Sequence, residues 1–104
     1  MKFSIEFTTT SLKELKKLPT ASQRAIVEDI VQLESDPFPE KKKVKRIHGI
    51  KFPCYRLRID FSLDSFRVFY GIDHSIIFVL RIVSKKNADK IIKIIKKSSF
   101  PPDI

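Results

Sequence analysis

Residues 54–83 read CYRLRIDFSLDSFRVFYGIDHSIIFVLRIV, and apolar side chains recur at every second position along most of this stretch. A period of two residues is typical of strands that bury one face, and polar residues interrupt the pattern at 62–65 and 73–75. We therefore predict three strands joined by short turns, as an antiparallel meander. The third strand, 76–83, is apolar on both faces apart from Arg81, which favours a central position in the sheet.

The N-terminal third of the chain predicts a strand and a helical hairpin. Residues 2–7 alternate as a half-buried strand does. Ser11 with Glu14, and Thr20 with Gln23, have the spacing of capping boxes that begin two helices. The second helix should bury one apolar stripe, formed by Ile26, Val27, Ile30, Val31 and Leu33.

The remaining segments complete one domain. Residues 44–48 suggest a short strand that ends in a turn at Gly49, and 87–97 predict a helix with isoleucines on its buried side. The expected fold class is α+β, in the order β-α-α-β-β-β-α, with a small antiparallel sheet packed against the N-terminal helical hairpin and a C-terminal helix. We expect a single domain over 1–97 and a flexible C-terminal tail over 98–104.

Composition excludes several classes of function. The chain has 104 residues, two glycines too far apart for a nucleotide-binding loop, and one cysteine, Cys54, which rules out an internal disulfide and a thiolate metal cluster. Paired carboxylates are missing from the basic segments, which disfavours a metal-dependent nuclease. We expect no metal and no cofactor. No apolar run is long enough for a spanning helix, so a cytoplasmic protein without membrane contact is expected.

Positive charge is concentrated in two segments. The net charge is +9, and residues 36–60 hold eight basic and three acidic side chains, while residues 84–104 hold six and two. Such a field favours a polyanionic partner, with nucleic acid ahead of membrane. A role in solubility alone is the alternative.

Four arginines are predicted to share one uncovered face of the sheet. They are Arg56, Arg58, Arg67 and, with less support from the pattern, Arg81. Guanidinium groups hold phosphate by paired hydrogen bonds, and Phe69 between them would offer a ring on which a base could stack. Alternatively, these arginines are solvated strand residues that pair with Asp60 and Asp64. His48 and His74 fall in turns, and Cys54 is expected in the core; none of the three is favoured as a catalytic group.

Five short motifs follow one another along the chain: KKLP (16–19), DP (36–37), VKRIHG (44–49), YRLRI (55–59) and FRVFY (66–70). Their order and spacing, from residue 2 to about 90, resemble the RelE/ParE toxin superfamily. The resemblance implies a cytoplasmic toxin of a type II toxin–antitoxin system. Its implied partners are a small acidic antitoxin that blocks the basic face, the ribosome with its mRNA, and operator DNA bound through the antitoxin complex.

For the RelE branch, the resemblance implies metal-independent cleavage of mRNA by attack of the 2′-hydroxyl on the adjacent phosphate. Arg56 and Arg58 match positions that bind phosphate and assist proton transfer, Arg67 matches the arginine that steadies the transition state, and Lys85 or Lys86 matches a basic residue after the last strand. The remaining RNA-binding candidates are Lys45, Arg46, Phe69, Arg81 and Lys86.

Two other functions remain open. RNA-cleaving relatives often carry a tyrosine or histidine near the C-terminus, whereas no Tyr or His follows His74 here. This departure favours a ParE-like inhibitor of DNA gyrase that cleaves nothing. The third hypothesis is a degenerate toxin that binds only its antitoxin and operator DNA.

Overall fold

The structure is a computed structural model that describes residues 2–38 and 43–98. The elements in these ranges are β1 (Ser4–Phe7), α1 (Thr9–Lys16), α2 (Thr20–Gln32), β2 (Val44–Arg46), β3 (Cys54–Phe61), β4 (Asp64–Asp73), β5 (Ile76–Ser84) and α3 (Ala88–Lys96). A 3₁₀ turn, Lys85–Asn87, joins β5 to α3. From position 99 onward, the predicted tail lies outside the described residues. No helix within the described ranges has the length and apolar character needed to cross a membrane.

All five strands form one sheet in the order β1-β5-β4-β3-β2. The predicted meander is confirmed, because β3, β4 and β5 pair in antiparallel fashion, and the suggested strand within 44–48 is β2, at one edge. The first strand, β1, pairs in parallel with β5. The strand β5 therefore lies inside the sheet, where a run that is apolar on both faces is stable.

One face of the sheet packs against the helical hairpin. Its core contains Tyr55 and Leu57 from β3 and Val68 and Tyr70 from β4, all buried as the alternating pattern predicts. Several helix side chains complete this core: Leu15, Ile26, Ile30 and Leu33. The hydroxyl of Tyr70 donates a 2.6 Å hydrogen bond to the carbonyl oxygen of Pro37, so the loop after α2 is fastened to the sheet.

The opposite face of the sheet is covered in part by α3, contrary to the expectation of an uncovered face. Ala88, Ile91 and Ile95 of α3 form a second core with four buried sheet residues, Cys54, Phe69, Phe78 and Leu80. The isoleucine-rich helix needs an apolar partner, and this half of the sheet provides one. The end of the sheet near the turn between β3 and β4 is left with polar side chains on this face, among them Arg58, Asp60 and Arg67.

The helix starts also differ from the prediction. Thr8 caps α1, because its side-chain oxygen accepts a hydrogen bond from the Ser11 N–H, so Ser11 and Glu14 form no capping box. Pro19 precedes α2 without a side-chain cap, and the side-chain amide of Gln23 donates to the Leu18 carbonyl instead.

The apolar stripe of α2 is narrower than expected. Val27 and Val31 are exposed, whereas Ile26, Ile30 and Leu33 are buried. Adjacent residues on a helix are about 100° apart, so one side of the predicted stripe turns away from the sheet.

Candidate nucleic-acid interface

Arg58 on β3 and Arg67 on β4 lie directly opposite each other in the strand register. Side chains at such positions are only about 5 Å apart at Cβ, and two like charges there repel. The two differ in exposure, since Arg58 is exposed and Arg67 is 6% exposed. Burial and, after it, the nearby Arg56 guanidinium lower the pKa of Arg67, but an arginine keeps its charge in proteins. A counter-anion is therefore needed at this end of the sheet.

Asp60 supplies that negative charge. It faces Ser65 across the same strand pair, and its Oδ2 lies 3.5 Å from Arg58 Nε. Ser65 Oγ donates a 2.6 Å hydrogen bond to Asp60 Oδ1 and accepts one of 2.8 Å from Arg67 Nη1. The Ser65 hydrogen bond, followed by the charges of Arg58, Arg67 and Lys85, holds the pKa of Asp60 below its ordinary value. This carboxylate is therefore ionised at neutral pH.

Arg56 lies one row further along β3, opposite Phe69 on β4 and Lys45 on β2. It is half-buried, and its Nε is a buried donor that finds no acceptor in the described part of the chain. Leaving such a donor unpaired costs roughly 1–3 kcal/mol. Arg56, Arg58, Arg67 and Lys85 are called the cationic cluster below. Arg58 and Arg67 are register partners, Arg56 precedes Arg58 by two residues on the same side of β3, and Lys85 follows Ser84, the register partner of Phe66.

Two other predicted residues lie beside the cluster. Lys86 is exposed next to Lys85 in the 3₁₀ turn after β5, and Lys45 is exposed on β2 beside Arg56. These lysines extend the positive surface along both sides of the cluster. Their ammonium groups are compact charges that attract phosphate without fixing its orientation.

The remaining three predicted residues do not join the cluster. Phe69 is 0% exposed beneath α3, so the expectation that its ring stacks on a base is wrong. Arg81 forms an ion pair with Glu14 on α1, in which its Nη2 lies 2.8 Å from Glu14 Oε2. Arg46 pairs in register with Tyr55 and stands 5.9 Å from the centre of that ring, which belongs to the core under the hairpin. Arg46 thus points to the face opposite Lys45.

From the sequence, Asp60 is predicted only as a possible salt-bridge partner of the arginines, and Ser65 falls in the predicted turn. A two-residue turn at 62–63 pairs Phe61 with Asp64 and then Asp60 with Ser65. Ser62 adopts a positive φ of 57° there, as tight hairpin turns require. Because the sequence predicts a longer turn, 62–65, it does not predict the pairing of Asp60 with Ser65.

Other chemical candidates are absent from the cluster. Among the described residues, no group of three His, Cys, Asp or Glu side chains is placed to hold a metal ion. Cys54 is buried, as expected, and that burial raises the pKa of its thiol to about 12, which makes it inert as a nucleophile. The cluster can bind an anion with three planar guanidinium groups and one ammonium group.

Comparison with known proteins extends these observations. Residues 5–96 match the family described as ParE toxin of type II toxin-antitoxin system, parDE. RelE1 of Methanocaldococcus jannaschii is 36% identical over 93 residues, which cover 86% of this chain and 98% of that protein.

Two solved structures share the fold. One chain of the archaeal RelE–RelB complex from Pyrococcus horikoshii superposes on this chain with a TM-score of 0.68 at 27% identity. The match covers 82% of this chain and 97% of the matched chain. A free double mutant of E. coli toxin RelE reaches a TM-score of 0.73 at 18% identity, covering 92% and 95% of the two chains, and supports the fold alone.

Proposed function

This chain belongs to the RelE/ParE superfamily of toxins of type II toxin–antitoxin systems, and we propose that it is an endoribonuclease that cleaves mRNA on the ribosome without a metal. The cationic cluster carries the proposal, because three guanidinium groups around one phosphate can neutralise the charge that develops when the 2′-oxygen attacks. The products would be a 2′,3′-cyclic phosphate and a 5′-hydroxyl.

Each member of the cluster has a chemical task in this proposal. Arg67, nearly buried, makes hydrogen bonds only through Nη1 within the described residues, so its Nε and Nη2 are available to phosphate oxygens. Arg58 and Arg56 bind the remaining oxygens. Lys85, the exposed ammonium group of the cluster, donates the proton that the departing 5′-oxygen takes up as the phosphorus–oxygen bond breaks, and solvent water accepts the proton that the 2′-hydroxyl loses as it attacks.

Mapping of mRNA 5′ ends after controlled expression tests the proposal. New ends within translated regions should appear with the wild type and be reduced in Arg58→Gln, which removes an exposed charge, and in Arg67→Lys, which keeps the charge but loses the planar fork. Arg24→Gln is the matched control, because Arg24 is an exposed cation on α2. The same RNA incubated with and without ribosomes tests the ribosome requirement. Equal cleavage by wild type and Arg67→Lys would contradict the proposed role of the cluster.

An antitoxin is the proposed protein partner. The similar Pyrococcus chain is seen in a RelE–RelB complex. A small acidic antitoxin would complement the net charge of +9 and, by covering the cationic cluster, exclude RNA. Operator DNA would then be bound through the complex. Co-expression with the acidic product of a neighbouring gene should abolish growth arrest and yield a complex that survives purification.

Inhibition of DNA gyrase is the second candidate. Two observations favour it: the matched family is described by its ParE toxin, and no Tyr or His follows His74 to serve in RNA cleavage. Growth arrest with induction of the DNA-damage response, without new mRNA ends and unchanged by Arg67→Lys, would establish this function instead. An absence of both effects would indicate a degenerate toxin that binds only its antitoxin and operator DNA.

A further inference from the structure

A continuous hydrogen-bonded chain runs from Arg67 to Asp60. Arg67 Nη1 donates to Ser65 Oγ over 2.8 Å, and Ser65 Oγ donates to Asp60 Oδ1 over 2.6 Å. The same Nη1 also donates to the carbonyl oxygen of Phe66, at 3.0 Å. Arg67 and Asp60, at the two ends of this series of hydrogen bonds, are both ionised, so the bonds are charge-assisted and directional.

We propose that Asp60 and Ser65 are positioning residues that fix the guanidinium of Arg67 for phosphate, a role that rests on the proposed cleavage of RNA. Two acceptors hold Nη1, and this fixes the plane of the guanidinium. The Nε and Nη2 groups are left for the substrate. Ser65 is the connecting group, because its hydroxyl both accepts from the arginine and donates to the carboxylate.

The carboxylate of Asp60 repels the phosphates of RNA, so its contribution to the site is not a higher affinity for RNA. Asp60 has a side chain that is 62% exposed, and its negative charge lies among cations that would otherwise all attract phosphate. Its ion pair with Arg58 is exposed and adds little to stability. What Asp60 does provide is a fixed acceptor at the end of the chain to Arg67, and a charge that lets Arg58 and Arg67 lie opposite each other.

The hydrogen-bonded residues Asp60, Ser65 and Arg67 all lie on paired strands, which restricts their movement. Asp60 and Ser65 are register partners next to the two-residue turn, and Arg67 lies two residues further along β4, on the same side of the strand as Ser65. All three side chains therefore start from paired backbone. A site built on strands holds its groups more precisely than one built on loops.

Steady-state cleavage of ribosome-bound mRNA by purified variants separates positioning from electrostatics. Asp60→Ala removes the acceptor together with its negative charge, so the KM for ribosome-bound mRNA should stay equal or fall, while kcat falls about 10- to 100-fold because Arg67 is misplaced. Ser65→Ala, which changes no charge, should lower kcat similarly. Ser65→Thr, which keeps the hydroxyl on a residue suited to strands, should restore it.

The matched control is Asp64→Ala, which removes another exposed acid from the same hairpin. It should change KM to the same extent as Asp60→Ala and leave kcat unchanged. If Asp60→Ala and Asp64→Ala have equal kcat values, or if Ser65→Ala cleaves as fast as the wild type, the positioning role is overturned. Far-ultraviolet circular dichroism of each variant confirms that it is folded.

A second readout does not depend on cleavage. Nitrogen-15 NMR of the Arg67 side chain should show restricted rotation of the guanidinium in the wild type and faster rotation in Ser65→Ala and Asp60→Ala. Free rotation in the wild type would overturn the positioning role, whatever the activity. A wild type that cleaves no RNA but shows restricted rotation would overturn the proposed function and leave the hydrogen-bonded chain established.

Discussion

Glu14 on α1 binds Arg81 on β5 through both carboxylate oxygens, and its Oε1 also accepts a 2.9 Å hydrogen bond from the backbone N–H of Ile82. The strand β1 pairs with β5 only as far as Val79. Beyond that point, the carboxylate on α1 takes over part of the pairing that a neighbouring strand would provide. The contact neutralises Arg81 and joins the hairpin to the sheet.

Loss of this carboxylate should destabilise the fold. Glu14→Gln leaves Arg81, whose side chain is 25% exposed, without its counter-ion, so we expect the free energy of unfolding to fall by about 1–3 kcal/mol. Urea denaturation measures the change. Glu28→Gln, at an exposed acid on α2, is the control and should stay within roughly 0.5 kcal/mol of the wild type. Equal stability of the two variants would show that the Glu14 contacts contribute nothing.

The buried ring of Phe69 should support the fold instead of RNA binding. Phe69→Ala removes a fully buried ring beneath α3 and should lower the free energy of unfolding by about 3–5 kcal/mol. Leu63→Ala, at a fully exposed apolar residue in the turn before β4, should change it by less than about 0.5 kcal/mol. A stable Phe69→Ala variant with weakened RNA binding would reverse this assignment and restore the stacking role.

Tyr70 and Tyr55 form a matched pair for testing one hydrogen bond. Their rings stack with centroids 5.5 Å apart, but only the Tyr70 hydroxyl makes a hydrogen bond to the described residues, at 2.6 Å to Pro37. Tyr70→Phe should therefore cost about 1–2 kcal/mol of stability, because the Pro37 carbonyl loses its donor. Tyr55→Phe should cost clearly less. Thermal denaturation of both variants makes the comparison, and a larger loss in Tyr55→Phe would contradict it.

The thiol of Cys54 should make stability fall at alkaline pH. Burial raises its pKa from 9.0 to about 12, so the unfolded chain releases the thiol proton at a lower pH than the folded chain. The stabilisation is complete below pH 9.0 and is lost as the pH rises towards 12. Urea denaturation between pH 8 and 11 should show this loss in the wild type and a smaller one in Cys54→Ala. Rapid alkylation of the native thiol at pH 8 would contradict its burial.

Alternation along the chain is enough to predict the strands, because it assigns each residue of a strand to one of two sides. That rule correctly placed Leu57, Val68 and Tyr70 in the core under the hairpin. It also placed Arg56, Arg58 and Arg67 on the other side, in agreement with the strand register. The apolar character of β5 on both faces correctly placed it inside the sheet. The pattern was wrong about the second face, which it predicted to be uncovered and against which Ile91 and Ile95 of α3 pack.

Which side chains meet depends on how the strands and helices pack together. Arg81 reaches Glu14 across a sequence separation of 67 residues, and α3 covers Phe69 while leaving Arg58 exposed. The hydrogen-bonded chain from Asp60 to Arg67 exists because the turn between β3 and β4 has two residues, which sets the register. Periodicity reports the side on which a residue lies. Contacts between elements depend on register and on how helices dock, and these follow from the packing of the whole chain.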